Sequence, residues 1–222
     1  MRKKKKENIK DNDGYWIDCD FIGGACDSQS NAKNHYKISE FAAENINYGF
    51  AVSHLILAGE ELIKSLIFIL LSRELHFMNN SEKQEILRNH NIKHINIEEF
   101  LLSLTEDAIL DFEENLLEYT VYPDKMKNKY QEAAWFLHKS LKLDVLDEKE
   151  ISEISKLIKD ANDLKNKGLY VDYENNWQCP WDVTEETYTK YRNLITKLFE
   201  FIDPVFTIPL TDERIQDFLY GE

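Results

Sequence analysis

Phe50–Phe77 reads FAVSHLILAGEELIKSLIFILLSRELHF. At ~100° per residue around a helix, His54, Glu60, Glu61 and Lys64 share one arc, which Ser65 and Ser72 join. Leu55, Ile56, Leu57, Leu62, Ile63, Leu66 and Ile67 make the rest of the circumference almost continuously apolar. A helix of that kind belongs at the centre of a fold rather than at its edge. Charges are costly to desolvate, so two carboxylates and an amine kept in such a segment point to a polar stripe lining a site. Glu60 and Lys64 are i, i+4 neighbours, and Glu61 and Lys64 are i, i+3 neighbours. The plainer alternative is a solvated face with ordinary ion pairs of ~0.3–0.5 kcal/mol each. Charges in mid-span argue against a membrane helix.

Outward from this helix the pattern stays helical. Upstream, residues 1–14 form a polar arm opening with Arg2-Lys3-Lys4-Lys5-Lys6, expected to be disordered and too polar for a signal peptide. Residues 15–29, with Gly23-Gly24, read as an ordered loop, and helix starts near Ser28 or Ser30 and runs to a turn at Asn47-Tyr48-Gly49. Downstream, Asn79-Asn80-Ser81 breaks the central helix and Ser81 caps a short helix ending near Arg88. Asn96 caps another, with Phe100, Leu104, Ile109 and Phe112 at helical spacing. Tyr122-Pro123-Asp124 is a stop and restart before a helix from about Lys125 to Leu141. Asp147 caps the next, which ends at Gly168 as a C′ glycine. Leu169–Tyr173 is the one credible extended run, and 169–182 is a small extended and loop segment. Thr184 caps a helix stopped by Pro204, and a short helix runs from Thr211 to about Tyr220. The expected fold is all-α: a single bundle of six to eight helices over residues 15–222.

Composition narrows the function. Seven Gly and four Pro in 222 residues disfavour a turn-rich β protein. The formal charge of −14 argues against a broad nucleic-acid surface, although a small basic site is compatible with it. Cys19, Cys26 and Cys179 are too few and too scattered for a disulfide scaffold and read as reduced thiols of a cytoplasmic protein.

A second polar cluster, Arg88-Asn89-His90-Asn91-Ile92-Lys93-His94, has chemistry open to it. RNA cleavage without metal needs a base for the 2′-hydroxyl, an acid for the leaving oxygen and a cation near the phosphorane. Histidine suits the proton steps and Arg or Lys the charge. The alternatives are a solvated basic loop, or a metal held by His90 and His94 with a third ligand from Glu60, Glu61 or His54. His35, His76 and His138 read as incidental surface or packing residues. Asp172, just after a helix end, can order a histidine or cap a neighbouring segment; a packing elbow with Tyr170 and Val171 buried is the plainer reading.

Three blocks now stand in order: Ala58-x-Glu60-Glu61-x-x-Lys64, His90-x-x-Lys93, and Gly168-Leu169-Tyr170-Val171-Asp172 with Pro180 downstream. Together with Asn31-Ala32, they resemble the AbiV family of bacterial abortive-infection proteins over roughly residues 28–202. That family is grouped with the HEPN superfamily of helical bundles, often homodimeric, many of them metal-independent ribonucleases with an Arg-polar-x4–6-His motif at the dimer interface. Arg88-Asn89…His94, with four residues between Asn89 and His94, resembles that motif and implies Arg88 and His94 as the catalytic pair. The AbiV block points instead to His90 and Lys93. Glu60, Glu61, Lys64, His54 and Asp172 are then supporting residues.

The resemblance implies an anti-phage effector that cleaves RNA, works as a homodimer and needs no metal or other cofactor; a phage-encoded activator is a further expected partner. A non-enzymatic defence protein that binds a phage or host protein is the alternative, and the acidic charge favours it. A third option is an antitoxin-like bundle that neutralises a basic toxin.

Overall fold

The computed structural model describes residues 21–72, 97–122, 125, 130–141, 148–170, 172–173 and 177–207. The basic arm, the Asn79–Ser81 break, the short helix ending near Arg88, the Arg88–His94 cluster, the Asn96 and Asp147 caps and the helix from Thr211 lie outside these residues. The architecture is an all-α bundle. Its helices are α1 (Phe21–Glu44), α2 (Tyr48–Leu71), α3 (Ile97–Leu102), α4 (Glu106–Glu114), α5 (Leu116–Val121), α6 (Gln131–Leu141), α7 (Glu148–Leu169) and α8 (Glu185–Thr207). Two short strands, β1 (Asp172–Tyr173) and β2 (Trp177–Gln178), pair antiparallel in the segment expected to be extended.

The centre is α2, as its sequence requires. From Leu62 to Leu71 every residue is buried, and α1, α7 and α8 pack around the helix. Asn47 caps it, its side-chain oxygen accepting the Phe50 amide at 3.3 Å. The turn before it comes slightly earlier than expected, with Ile46 in the left-handed region at φ 60°.

Four local expectations are corrected. Helix α1 already includes Phe21, so Gly23-Gly24 is helical rather than looped. A glycine costs roughly 1 kcal/mol in a helix relative to alanine. Here Gly24 admits the Phe68 ring, since a β-carbon on it would lie 3.2 Å from Phe68 Cδ2. Buried Ala25, Ser28, Ala32, Ser39 and Ala42 extend this small-residue seam and let α1 close on α2. The run from Phe100 to Phe112 is not one helix: it breaks at Ser103–Thr105, where the Thr105 hydroxyl accepts the Ala108 amide at 3.3 Å and starts α4.

Gly168 lies inside α7 rather than beyond its end. Pro204 lies inside α8 rather than stopping it. An interior proline costs about 3 kcal/mol, but Phe201, Ile202 and Val205 are buried around it. At about 1.5–3 kcal/mol for each large apolar side chain, their burial outweighs that cost and keeps the last turns on the core. Thr184 does cap α8, accepting the Thr187 amide at 3.3 Å.

Candidate functional site

The neighbours of α2 define its faces. Gly59 faces α8, where a β-carbon would lie 2.7 Å from Ile195 Cδ1. His54 faces α1, with its Nδ1 2.9 Å from Nδ1 of His35. Ser53 and Glu60 face α7: the Ser53 hydroxyl donates to the Lys165 carbonyl at 3.0 Å, and the Lys165 ammonium donates to both Glu60 oxygens at 3.1 and 3.3 Å. Phe50, Leu57, Glu61 and Lys64 fall on the arc between α1 and α7, by the ~100° spacing of helical residues.

Along this arc the expected triplet divides. Lys64 donates to both oxygens of Glu61, at 3.0 and 3.1 Å, and its ammonium lies over the Phe68 ring, 6.0 Å from the centroid. Glu60 pairs with Lys165, a partner outside the expected stripe. Lys64 is only 7% exposed, so its pair works in a drier setting than a surface bridge and depends on close geometry. Ser65 and Ser72 turn their hydroxyls to their own helix, donating to the carbonyls of Leu62 and Ile69.

His54 sits in the stripe as expected, and its partner is His35, a residue that reads as incidental in the sequence. The rings lie 5.1 Å apart, and the Phe50 ring meets His54 edge-on at 4.4 Å. Burial lowers the pKa of both imidazoles below the ordinary histidine value. On His35 the carboxylates of Glu61 and then Glu60 oppose this; on His54 the neighbouring His35 adds to it. A sequence signal for His35 exists: Ala25, Ser28, Ala32, His35, Ser39 and Ala42 follow a three–four spacing along α1. His35 is the lone large polar residue in that seam of small ones.

The block around Gly168 meets α2 at its first turns. A β-carbon on Gly168 would lie 2.1 Å from Ser53 Oγ and 2.2 Å from the Gly49 carbonyl oxygen. One on Gly49 would lie 2.2 Å from the Pro180 carbonyl oxygen. Gly168 and Pro180, distant in sequence, therefore both close on Gly49. Asp172 stands opposite Gln178 in the strand pair. Tyr170 is 62% exposed rather than buried in the elbow.

Arg88, His90, Lys93 and His94 lie outside the described residues, so Glu60, Glu61, Lys64 and His54 are the expected site residues whose side chains are placed. Among the described residues no group of three or more His, Cys, Asp or Glu side chains is arranged to hold a metal. Cys26 and Cys179 are free thiols. No helix of the described residues is long and apolar enough to cross a membrane.

A family model described as AbiV, in the HEPN group, matches residues 21–200. Neither a curated protein nor a solved structure matches the chain.

Proposed function

The chain belongs to the AbiV family of abortive-infection proteins, and from that membership we propose that it defends against phage by cleaving RNA without a metal. The observation that carries this reading is the Arg88-Asn89-x4-His94 spacing inside the matched span. In this reading one imidazole of the Arg88–His94 cluster removes the 2′-hydroxyl proton, and the conjugate acid protonates the leaving oxygen. Arg88 stabilises the charge that builds on the phosphorane. His94 and Arg88 are the leading pair, with His90 and Lys93 as the second choice in the same stretch of sequence. Glu60, Glu61, Lys64 and His54 of α2 and Asp172 of the strand pair are the supporting residues in this reading. A cytoplasmic homodimer and a phage-encoded activator belong to the same proposal.

The test is labelled RNA incubated with the purified protein, with and without chelator, beside Arg88→Ala, His90→Ala and His94→Ala. Chelator-insensitive cleavage lost in Arg88→Ala or His94→Ala supports the reading. Full cleavage by all three variants removes this cluster from the mechanism.

The second reading, a binding protein without catalysis, draws on the charge of −14, which disfavours close approach of RNA. Intact RNA in the same assay, together with phage restriction that survives all three substitutions, would establish it.

A further inference from the structure

We propose that His35 and His54 form a proton-operated latch between α1 and α2, closed while one proton lies between them and opened by a second. The geometry carries this. The two Nδ1 atoms are 2.9 Å apart, a hydrogen-bond distance that accommodates a single proton. With both imidazoles neutral, one Nδ1 donates and the other accepts. A first added proton can enter at an outer Nε2 and leave this bond in place. A second makes both Nδ1 atoms donors, and two N–H groups then face each other with like charge.

The surroundings set how the latch responds. Phe50 packs edge-on to His54, and both imidazoles are half-buried. Glu61 and Glu60 of α2 act on His35. Lys64 occupies the Glu61 carboxylate, and Lys165 of α7 occupies that of Glu60. On the α8 side of α1, Lys33 pairs with Asp203 and Glu40 with Arg192. The folded state therefore disfavours the second proton. Of the seam residues flanking His35, Ala32 has no polar side chain, and the Ser39 hydroxyl donates to the Tyr36 carbonyl of its own helix at 2.7 Å. Among the described residues the histidine pair is thus a polar tie at this level of the α1–α2 contact.

Both imidazoles have depressed pKa values in the folded protein. The unfolded chain then binds more protons than the folded one below the ordinary histidine value of about 6.5. Stability is full above that pH and falls as pH drops through it, levelling off below the folded-state values.

The experiment is hydrogen exchange on the full chain between about pH 5 and 8, corrected for intrinsic rates, beside denaturant unfolding over the same range. One extra proton taken up on opening raises the opening constant about tenfold per pH unit. The expected result is a selective loss of protection at residues 32–38 of α1 and 51–57 of α2 as pH falls. His35→Asn, which keeps a polar side chain but cannot take up the proton, should flatten that dependence. His54→Gln serves if His35→Asn does not fold. Uniform protection loss across the bundle, or an unchanged pH dependence in the folded variant, overturns the latch.

Discussion

Glu60 and Lys165 lie 105 residues apart in the chain and form a two-oxygen ion pair at 3.1 and 3.3 Å. The pair ties the middle of α2 to the end of α7, next to the Ser53 hydroxyl that donates to the Lys165 carbonyl. Both side chains keep about a quarter of their exposure, 22% for Lys165 and 27% for Glu60. Solvent screening therefore limits what the pair contributes. Glu60→Gln and Lys165→Met should each cost about 1 kcal/mol or less, with a coupling of a few tenths to 1 kcal/mol in a double-mutant cycle. Urea unfolding of the two single variants and the double variant measures it, and strictly additive losses would count against a direct pair.

The Glu61–Lys64 pair should behave differently because it is drier, with side-chain exposures of 16% and 9%. Glu61→Ala withdraws two oxygens from a buried ammonium and should cost about 3 kcal/mol. Lys64→Met, which keeps the volume and removes the charge, should cost much less. Equal losses in the two variants would show that the ammonium is well solvated.

Gly168→Ala pits helix propensity against packing. Alanine gains about 1 kcal/mol over glycine inside a helix. The new methyl, however, would meet Ser53 Oγ at 2.1 Å and the Gly49 carbonyl oxygen at 2.2 Å. Because one of those atoms is backbone, α7 must move off α2. We expect a net loss of about 2 kcal/mol or more, read as a lower midpoint in urea. A gain in stability would mean that the two helices separate at no cost.

Ile46→Gly should stabilise the protein. Ile46 holds φ 60° and is 77% exposed, so the substitution relieves a strained β-branched residue and exposes little new apolar surface. The expected gain is about 1 kcal/mol, less the entropy that glycine adds to the unfolded chain. Thermal unfolding checks it, and a lower Tm would show that Ile46 makes a contact that outweighs its strain.

Much of the fold is legible from local pattern. The apolar circumference of Phe50–Leu71 marks the central helix, Thr184 marks the start of α8, and residues 169–182 mark the extended segment. Each of these signals lies within a few residues of what it specifies. Local rules fail where a distant partner decides the outcome. Gly23-Gly24 reads as loop until Phe68 packs on Gly24; Pro204 reads as a stop until Ile202 and Val205 are buried around it; Gly168 reads as a cap until Gly49 lies against it. For the candidate site, Glu60, Glu61, Lys64 and His54 are visible as a stripe, while His35 and Lys165 join that stripe only through contact.

The helical periods, the polar arc on α2 and the family blocks follow from the order of residues, since a 3.6-residue repeat needs no knowledge of what packs against it. Which lysine each glutamate holds, that one histidine meets another, and why glycines stand where two backbones touch emerge once the helices are packed. Those choices depend on how far apart neighbouring helices lie and how they are turned, quantities that no spacing within a single helix contains.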